Sequence, residues 1–479
     1  MDKKRVAIVG SGISGLGALY ALRNTPHEVH LYEAADRLGG HTNTVTFKHN
    51  GRKTPVDTGF ILLNTATYPN FIALLRELKV ETTAAHLSFG ITRDDGAFEW
   101  AGTSLDAIFA QRTNLLRPSF WRMIFDIIRF NQFALDLLRD ESQYDPELSI
   151  GEYLDREGYS AAFRDDYLIP MTACFWSTGI DTCALDLPAL TLVRFRSLWN
   201  HHWLSTVEER PAWMTIKYGS RSYINALLRG FPSERIHLST PVRTLRNDVN
   251  GKVLLLLSHG REEVFDDVVL ACHGDQAMKI ISNTASPTER EIMSAFQTTP
   301  STAYLHSDLN FMPRRPNAQA ACNYLIKSSP NSSDSDSVSL TYNLSTLHHI
   351  PASFGPVLLT VNPPRPPAPS LTQRVTQYAR PVHSAAAARA QQRLPIIQGT
   401  RGIWYAGAWA GHGSHEDGLA AGVRVAVEGL GGRVLWEWKN IDAGVDRTRV
   451  PMLGMADYAV RVGVLVVVVW LWAMEACTV

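Results

Sequence analysis

The stretch RVAIVGSGISGLGALYALRNTPHEVHLYEAADRLGG, Arg5 to Gly40, decides how this chain is read. A short apolar run, Val6 to Val9, ends at Gly10-Ser11-Gly12-Ile13-Ser14-Gly15. Leu16, Leu19, Tyr20 and Leu22 follow at spacings that share one helix face. A second apolar run, Val29 to Tyr32, closes on Glu33. The pattern predicts strand, glycine turn, helix, strand and a terminal acid. Each part has a task in dinucleotide binding. Gly10 permits the tight turn, Gly12 lets backbone approach a pyrophosphate, and Gly15 lets the helix pack on the sheet. The helix start offers N–H groups and a positive dipole end to phosphates. Glu33 is placed to accept hydrogen bonds from a ribose.

The whole chain sets bounds on this reading. At 479 residues it exceeds one ordinary core, so two or more domains are expected. Hydrophobic residues at 45% and charged residues at 19% indicate a globular protein. Lys+Arg and Asp+Glu both total 46, which argues against nucleic-acid binding through a global basic field. The five cysteines (Cys174, Cys183, Cys272, Cys322, Cys477) are scattered without a CxxC pair, so a reducing, intracellular setting is expected. The first strand begins directly after Met1-Asp-Lys-Lys, and no signal peptide is read. His201 and His202 sit in an aromatic cluster with Trp199 and Trp203 but lack a partnering Glu/His spacing, so no metal site is expected.

After Glu33 comes Arg37-Leu38-Gly39-Gly40-His41-Thr42. With the opening motif, this resembles flavin enzymes of the amine oxidase and phytoene desaturase type. Val56-Asp57-Thr58-Gly59-Phe60, Tyr68-Pro69-Asn70-Phe71, Phe109 to Met123 and Met171 to Thr178 narrow the resemblance. They are similar to a branch of NAD/FAD-binding, amine-oxidase-like proteins, a module fused in plants to cyclopropane fatty acid synthase. The similarity runs from Val6 to about Gly429. It implies a two-dinucleotide-binding-domain α/β (Rossmann-like) FAD fold with an interleaved α+β substrate domain and a short hydrophobic C-terminal tail. The implied division is 1–71, 213–284 and 398–440 for the FAD-binding domain, 72–212 for a mainly helical cap, 285–397 for a substrate-domain sheet, and 441–479 for an extension.

The resemblance also implies a cofactor site for non-covalent FAD. Gly10, Ser11, Gly12, Ile13, Ser14, Gly15, Glu33 and Ala34 would hold the adenosine and pyrophosphate. Arg37, Gly39, Gly40, His41, Thr58, Gly59 and Phe60 would continue along the dinucleotide, and Val242 would meet adenine. A second glycine-rich segment runs from Ile403 to Gly422, with a strand ending at Gly407 and a helix from about Leu419 to Leu430. In similar flavoproteins it meets the ribityl chain and the pyrimidine edge, implicating Gly407, Trp409, Gly418, Leu419 and Gly422. Many relatives carry an acid directly after the glycine matching Gly407; this chain has Ala408. Its acids come later, so His415, Glu416 and Asp417 are candidates for acid/base work or for helix capping. Lys217 is the remaining catalytic candidate, because many amine oxidases hold a water at the flavin with a lysine. An exposed surface lysine is the alternative.

Two further features complete the pattern. Phe120 to Leu138 reads as a long amphipathic helix with Pro118 at its start. Thr302–His306, Asn323–Lys327, Val338–Tyr342 and Val357–Val361 read as strands of a cavity wall. Near the end, Val462 to Met474 is 13 residues without a charge. Extended back to Tyr458 it is a marginal transmembrane helix over 458–474, an interfacial anchor, or an element buried in the fold. The functional expectation is an FAD-dependent oxidoreductase that removes hydride from a C–N or C–C bond of a small, lipophilic substrate, with oxygen or another acceptor. A redox-neutral double-bond isomerase and a non-catalytic FAD-binding partner of a lipid-modifying enzyme are the alternatives.

Overall fold

Short apolar strands flanked by turns assemble into a five-stranded parallel sheet. Its order is Ile236–His237, Glu28–Tyr32, Arg5–Val9, Asp267–Leu270, Ile403–Tyr405. Val6, Ala7, Ile8, Val268, Val269 and Leu270 are wholly buried, as a parallel sheet covered on both faces requires. This computed structural model describes residues 2–139, 145, 148–176, 212–328, 337–439 and 453–476, with isolated residues between 185 and 193. The Trp199–Trp203 cluster lies outside the described residues.

The run Val264 to Ala271 is not one strand, because the structure breaks it at Asp266. Glu262–Phe265 joins Val242–Asn247 and Val253–Leu257 in a separate antiparallel sheet, while Asp267–Leu270 enters the parallel one. The Asp266 carboxylate accepts hydrogen bonds from Arg5 N at 2.7 Å and Lys252 Nζ at 2.9 Å. These bonds fix the point where the chain changes sheets.

The opening helix, Ile13–Leu22, is buried along its whole length and packs against His415–Arg424. Contact is close because glycines face the partner helix. A Cβ on Gly422 would stand 1.9 Å from Ser14 O, and one on Gly17 would stand 2.8 Å from Leu419 Cδ1. The start of the chain and its glycine-rich last third are thus locked side by side.

The second layer is a seven-stranded sheet. Its order is Thr372–Pro381, Thr298–His306, Leu358–Val361, Ser337–Asn343, Cys322–Lys327, Phe89–Arg93, Phe98–Ala101. Two of these strands, with Thr82–Ala85, fall where the sequence reads mainly as helix. Phe89-Gly-Ile-Thr-Arg93 is too short for a helical period to show, and it is a strand because it pairs with Cys322–Lys327. The long helix is shorter than expected, Pro118–Phe133, with a separate turn at Asp136–Arg139. Asp57 ties the hairpin of Thr44–His49 and Arg52–Asp57 to the start of the helix Arg221–Leu227: its carboxylate accepts from Thr44 Oγ1 at 2.5 Å, and from Ser220 N at 3.0 Å and Oγ at 2.7 Å.

The tail forms a helix, Met455–Ala476. Among the described residues no helix is long and apolar enough to cross a membrane, so the transmembrane reading of 458–474 is not supported. The uncharged run of 13 residues spans only about 20 Å as helix, against a hydrocarbon core of about 30 Å. Arg461, which limits it on one side, and Asp457 one turn earlier are held against the protein. Asp457 Oδ1 accepts from Gln132 Nε2 at 3.4 Å, and Arg461 forks onto Asp136 at 2.9 and 3.0 Å.

Gly422→Ala is expected to lower stability by about 1–3 kcal/mol through overpacking. A reduced denaturation midpoint in urea checks this, with Ala421→Gly, on the same helix, as the comparison.

Candidate functional site

The two packed helices begin at one cavity. It has a volume of about 630 Å³, and its walls include Gly10 to Ser14 from one helix start and Gly407 to Trp409 and His412 to His415 from the other. Gly12 is the N-cap of the opening helix and supplies no side-chain cap. A Cβ there would meet nothing within 4 Å, so the bare helix start faces open space. That is the geometry of an anion site, where N–H groups and the helix dipole meet negative charge. The closing helix is capped by its own residues. Ser414 Oγ accepts from Asp417 N at 3.1 Å, and Asp417 Oδ2 accepts from Ser414 N at 2.8 Å. This is a capping box.

Glu33 stands at the end of its strand, in the cavity wall beside Ala34. Its Oε2 accepts from Ser11 N at 2.9 Å and Ser11 Oγ at 2.5 Å, and its Oε1 accepts from Ala35 N at 2.8 Å. The acid is therefore held rigidly beside the glycine turn. Gly39, Gly40, His41, Gly59, Phe60, Val242, Gly407 and Trp409 also line the cavity. The Trp409 indole donates to Cys272 O at 2.9 Å.

Several residues implicated by sequence lie elsewhere. Gly15 lies beneath the turn, where a Cβ would stand 1.9 Å from Gly10 O. Gly418, Leu419 and Gly422 pack on the opening helix rather than on the cavity. Arg37 braces the following loop, donating to Gly40 O at 2.8 Å and Thr42 O at 3.3 Å. Thr58 sits behind the wall, hydrogen-bonded to Asn43 O at 3.1 Å and the Tyr378 hydroxyl at 2.9 Å.

The four catalytic candidates separate clearly. Lys217 is exposed and paired with Glu81 at 2.6 Å, away from the cavity lining. Asp417 belongs to the capping box. Glu416 is buried, and its two oxygens accept from Asn70 N and Phe71 N, each at 2.8 Å. It thus caps the helix Pro69–Glu77 from the start of the closing helix, and burial pushes its carboxyl up to about 8. Only His415 reaches the cavity. It stacks on Phe60 with ring centroids 3.9 Å apart and lies 3.1 Å from the Tyr223 hydroxyl. Burial lowers its pKa to about 3, so the imidazole is neutral at physiological pH.

Other lining residues carried no sequence signal. Cys322 and Tyr342 are register partners on adjacent strands and form one end of the cavity with Leu62, Tyr68, Leu87 and Trp213. The charged lining residues among those described are Glu33, Arg243, Lys279 and Arg380. Arg243 and Lys279 belong to the Val242 end. Arg380 lies on the edge strand Thr372–Pro381, three places from the strand of Tyr342 and four from that of Cys322. Burial lowers the pKa of three lining histidines, His41, His273 and His383, the last to about 4. The Cys272 thiol is pushed up to about 12 by burial.

Comparison with known proteins agrees with this architecture. The model of the family described as flavin containing amine oxidoreductase matches residues 13–342. A curated L-amino acid oxidase of Cerastes cerastes is 58% identical over 43 residues, 9% of this chain and 8% of that protein. The flavin-dependent L-tryptophan oxidase RebO of Lentzea aerocolonigenes is 31% identical over 170 residues, 34% of this chain and 33% of that protein. The chain thus spans at most about a third of the length of these two relatives. Among solved structures, a putrescine oxidase is 15% identical with a TM-score of 0.61, covering 90% of this chain and 99% of that one. Cyclohexylamine oxidase from Brevibacterium oxydans is 14% identical with a TM-score of 0.61, over 89% and 98%. A fatty acid isomerase from P. acnes is 14% identical with a TM-score of 0.55, over 89% and 99%. At these identities the likeness establishes the fold.

Two outcomes are expected. Glu33→Gln should weaken flavin retention about tenfold or more, the scale of one charge-assisted contact, while Lys217→Ala leaves it unchanged. Titration of apoprotein followed by flavin fluorescence checks both. Because Glu416 carries its proton to a higher pH when folded than when unfolded, its contribution to stability is full below about pH 4.5 and fades as pH rises through about 8. Urea midpoints between pH 5 and 8.5 should fall more steeply for the native chain than for Glu416→Gln.

Proposed function

Since the chain belongs to the flavin containing amine oxidoreductase family, and its cofactor is accordingly FAD, we propose that it oxidises a small lipophilic amine, or a similar C–H donor, by hydride removal from a C–N or C–C bond. FAD supplies the two-electron acceptor when bound. The bare start of the opening helix and Glu33 fit its pyrophosphate and ribose. The single observation that carries the substrate class is the cavity end formed by Leu62, Tyr68, Leu87, Trp213, Cys322 and Tyr342. Among the described residues it contains no charged side chain, so it favours a neutral, apolar group over a carboxylate.

The residues around this chamber position and desolvate. Phe60 and His415 form a stacked pair against the closing helix start. The neutral imidazole meets the Tyr223 hydroxyl, which in turn lies 2.7 Å from Thr42 Oγ1. This chain holds a proton in place without presenting charge. With Glu416 and Asp417 engaged in capping, no carboxylate among the described residues at this end is arranged as a base. The donor therefore enters as its free amine and leaves as an iminium ion, having lost two electrons and one proton as hydride. In the reoxidation step oxygen takes up these two electrons and that proton, with one further proton from solvent, to give hydrogen peroxide.

Anaerobic mixing of holoprotein with a panel of long-chain and aromatic amines, amino acids and polyenes tests this. Apolar amines are expected to bleach the oxidised flavin band, and the corresponding amino acids, which carry a carboxylate, to do so at least about tenfold more slowly. Faster bleaching by amino acids, or a shifted double bond without bleaching, would contradict it.

A further inference from the structure

The tail helix is turned inside out. Its described charged residues, Asp457 and Arg461, face the protein and are bonded to Gln132 and Asp136. Arg461 also donates to Gln132 O, and its guanidinium lies 4.8 Å from the Phe133 ring centroid. The large side chains turned to solvent are Met455, Tyr458, Val462, Leu465, Val466, Val467, Val469 and Trp470. Val462 is 62% exposed, Val466 64% and Trp470 59%. A surface helix of a water-soluble protein has the opposite polarity.

We propose that this face rests in the interfacial layer of a lipid bilayer, with the helix lying along the surface. Three observations choose a bilayer over a second copy of the chain. First, at about 100° per residue the outward apolar positions cover an arc of about 200°, whereas one partner helix covers a narrow seam. Second, the helix from 455 to 470 is about 24 Å long and about 10–12 Å across. That footprint of a few hundred Å² falls below the roughly 800 Å² per partner of a specific dimer. Third, the exposed arc between 455 and 470 carries no charge to match a protein rim, and Trp470 is of the type that anchors at the membrane–water interface.

The inward ion pair sets the orientation. Arg461 and Asp136 hold the helix against the body of the protein, so it lies on a membrane rather than crossing it. The inference is independent of the proposed chemistry, because no residue it uses lines the cavity.

The test is flotation of full-length holoprotein with phosphatidylcholine vesicles at rising lipid concentration. The native chain is expected to float with the vesicles. The double variant Val462→Glu/Val466→Glu should partition about tenfold or more weakly, with its flavin spectrum unchanged, while Val466→Leu retains binding. Two results would overturn the inference. One is a native chain that stays in the aqueous layer at every lipid concentration. The other is a native oligomer in solution that the double variant splits to monomer without any difference in flotation.

Discussion

The structure depends on the close contact between the opening helix and the closing helix. Ser14 O and Gly422 meet where no side chain fits, and Gly17 admits Leu419 in the same way. Close glycine packing is what sets both helix starts at one cavity, although some 400 residues separate them in sequence. Only the first start is left bare; the second is sealed by Ser414 and Asp417. The two ends therefore do different work. The bare start leaves its N–H groups open to the cavity, while the capped one provides rigid backbone and the His415–Phe60 stack.

From this contact the rest of the site follows by bracing. Glu416 reaches from the closing helix to the first turn of Pro69–Glu77 and so joins the cofactor layer to the chamber wall. Asp57 gathers Thr44 and Ser220 into the same frame. Both carboxylates hold backbone in place, and neither is arranged for proton transfer. The chamber is left with neutral imidazoles and apolar walls, which suits chemistry in which FAD provides the electronic step and the protein provides orientation.

Much of this was legible in sequence where the signal is local. The Gly10–Gly15 turn, Glu33, and the strands of the wall each show in a short window, because turn residues and alternation mark them. Gly418 and Gly422 are ambiguous because a helix-packing glycine and a cavity glycine look alike in sequence; the neighbouring atoms, Ile13 and Ser14 for these two and open space for Gly12, decide. Lys217 and Glu416 were ambiguous for the same reason. Their roles come from Glu81 and from the Asn70 and Phe71 N–H groups, each more than 100 residues away. Phe89–Arg93 is a strand only through its pairing with Cys322–Lys327, a long-range term that local propensity does not carry. Trp213, Cys322 and Tyr342 share a wall through sheet topology alone.

The proposed site holds one FAD between the two helix starts without a covalent bond. The most direct measurement is the visible spectrum of the purified chain, followed by acid precipitation and quantitation of the released flavin. Oxidised-flavin bands and one FAD per chain in the supernatant, with a colourless pellet, are expected. A chain purified without flavin bands and unable to take up added FAD, or a yellow pellet that retains its flavin, would contradict it.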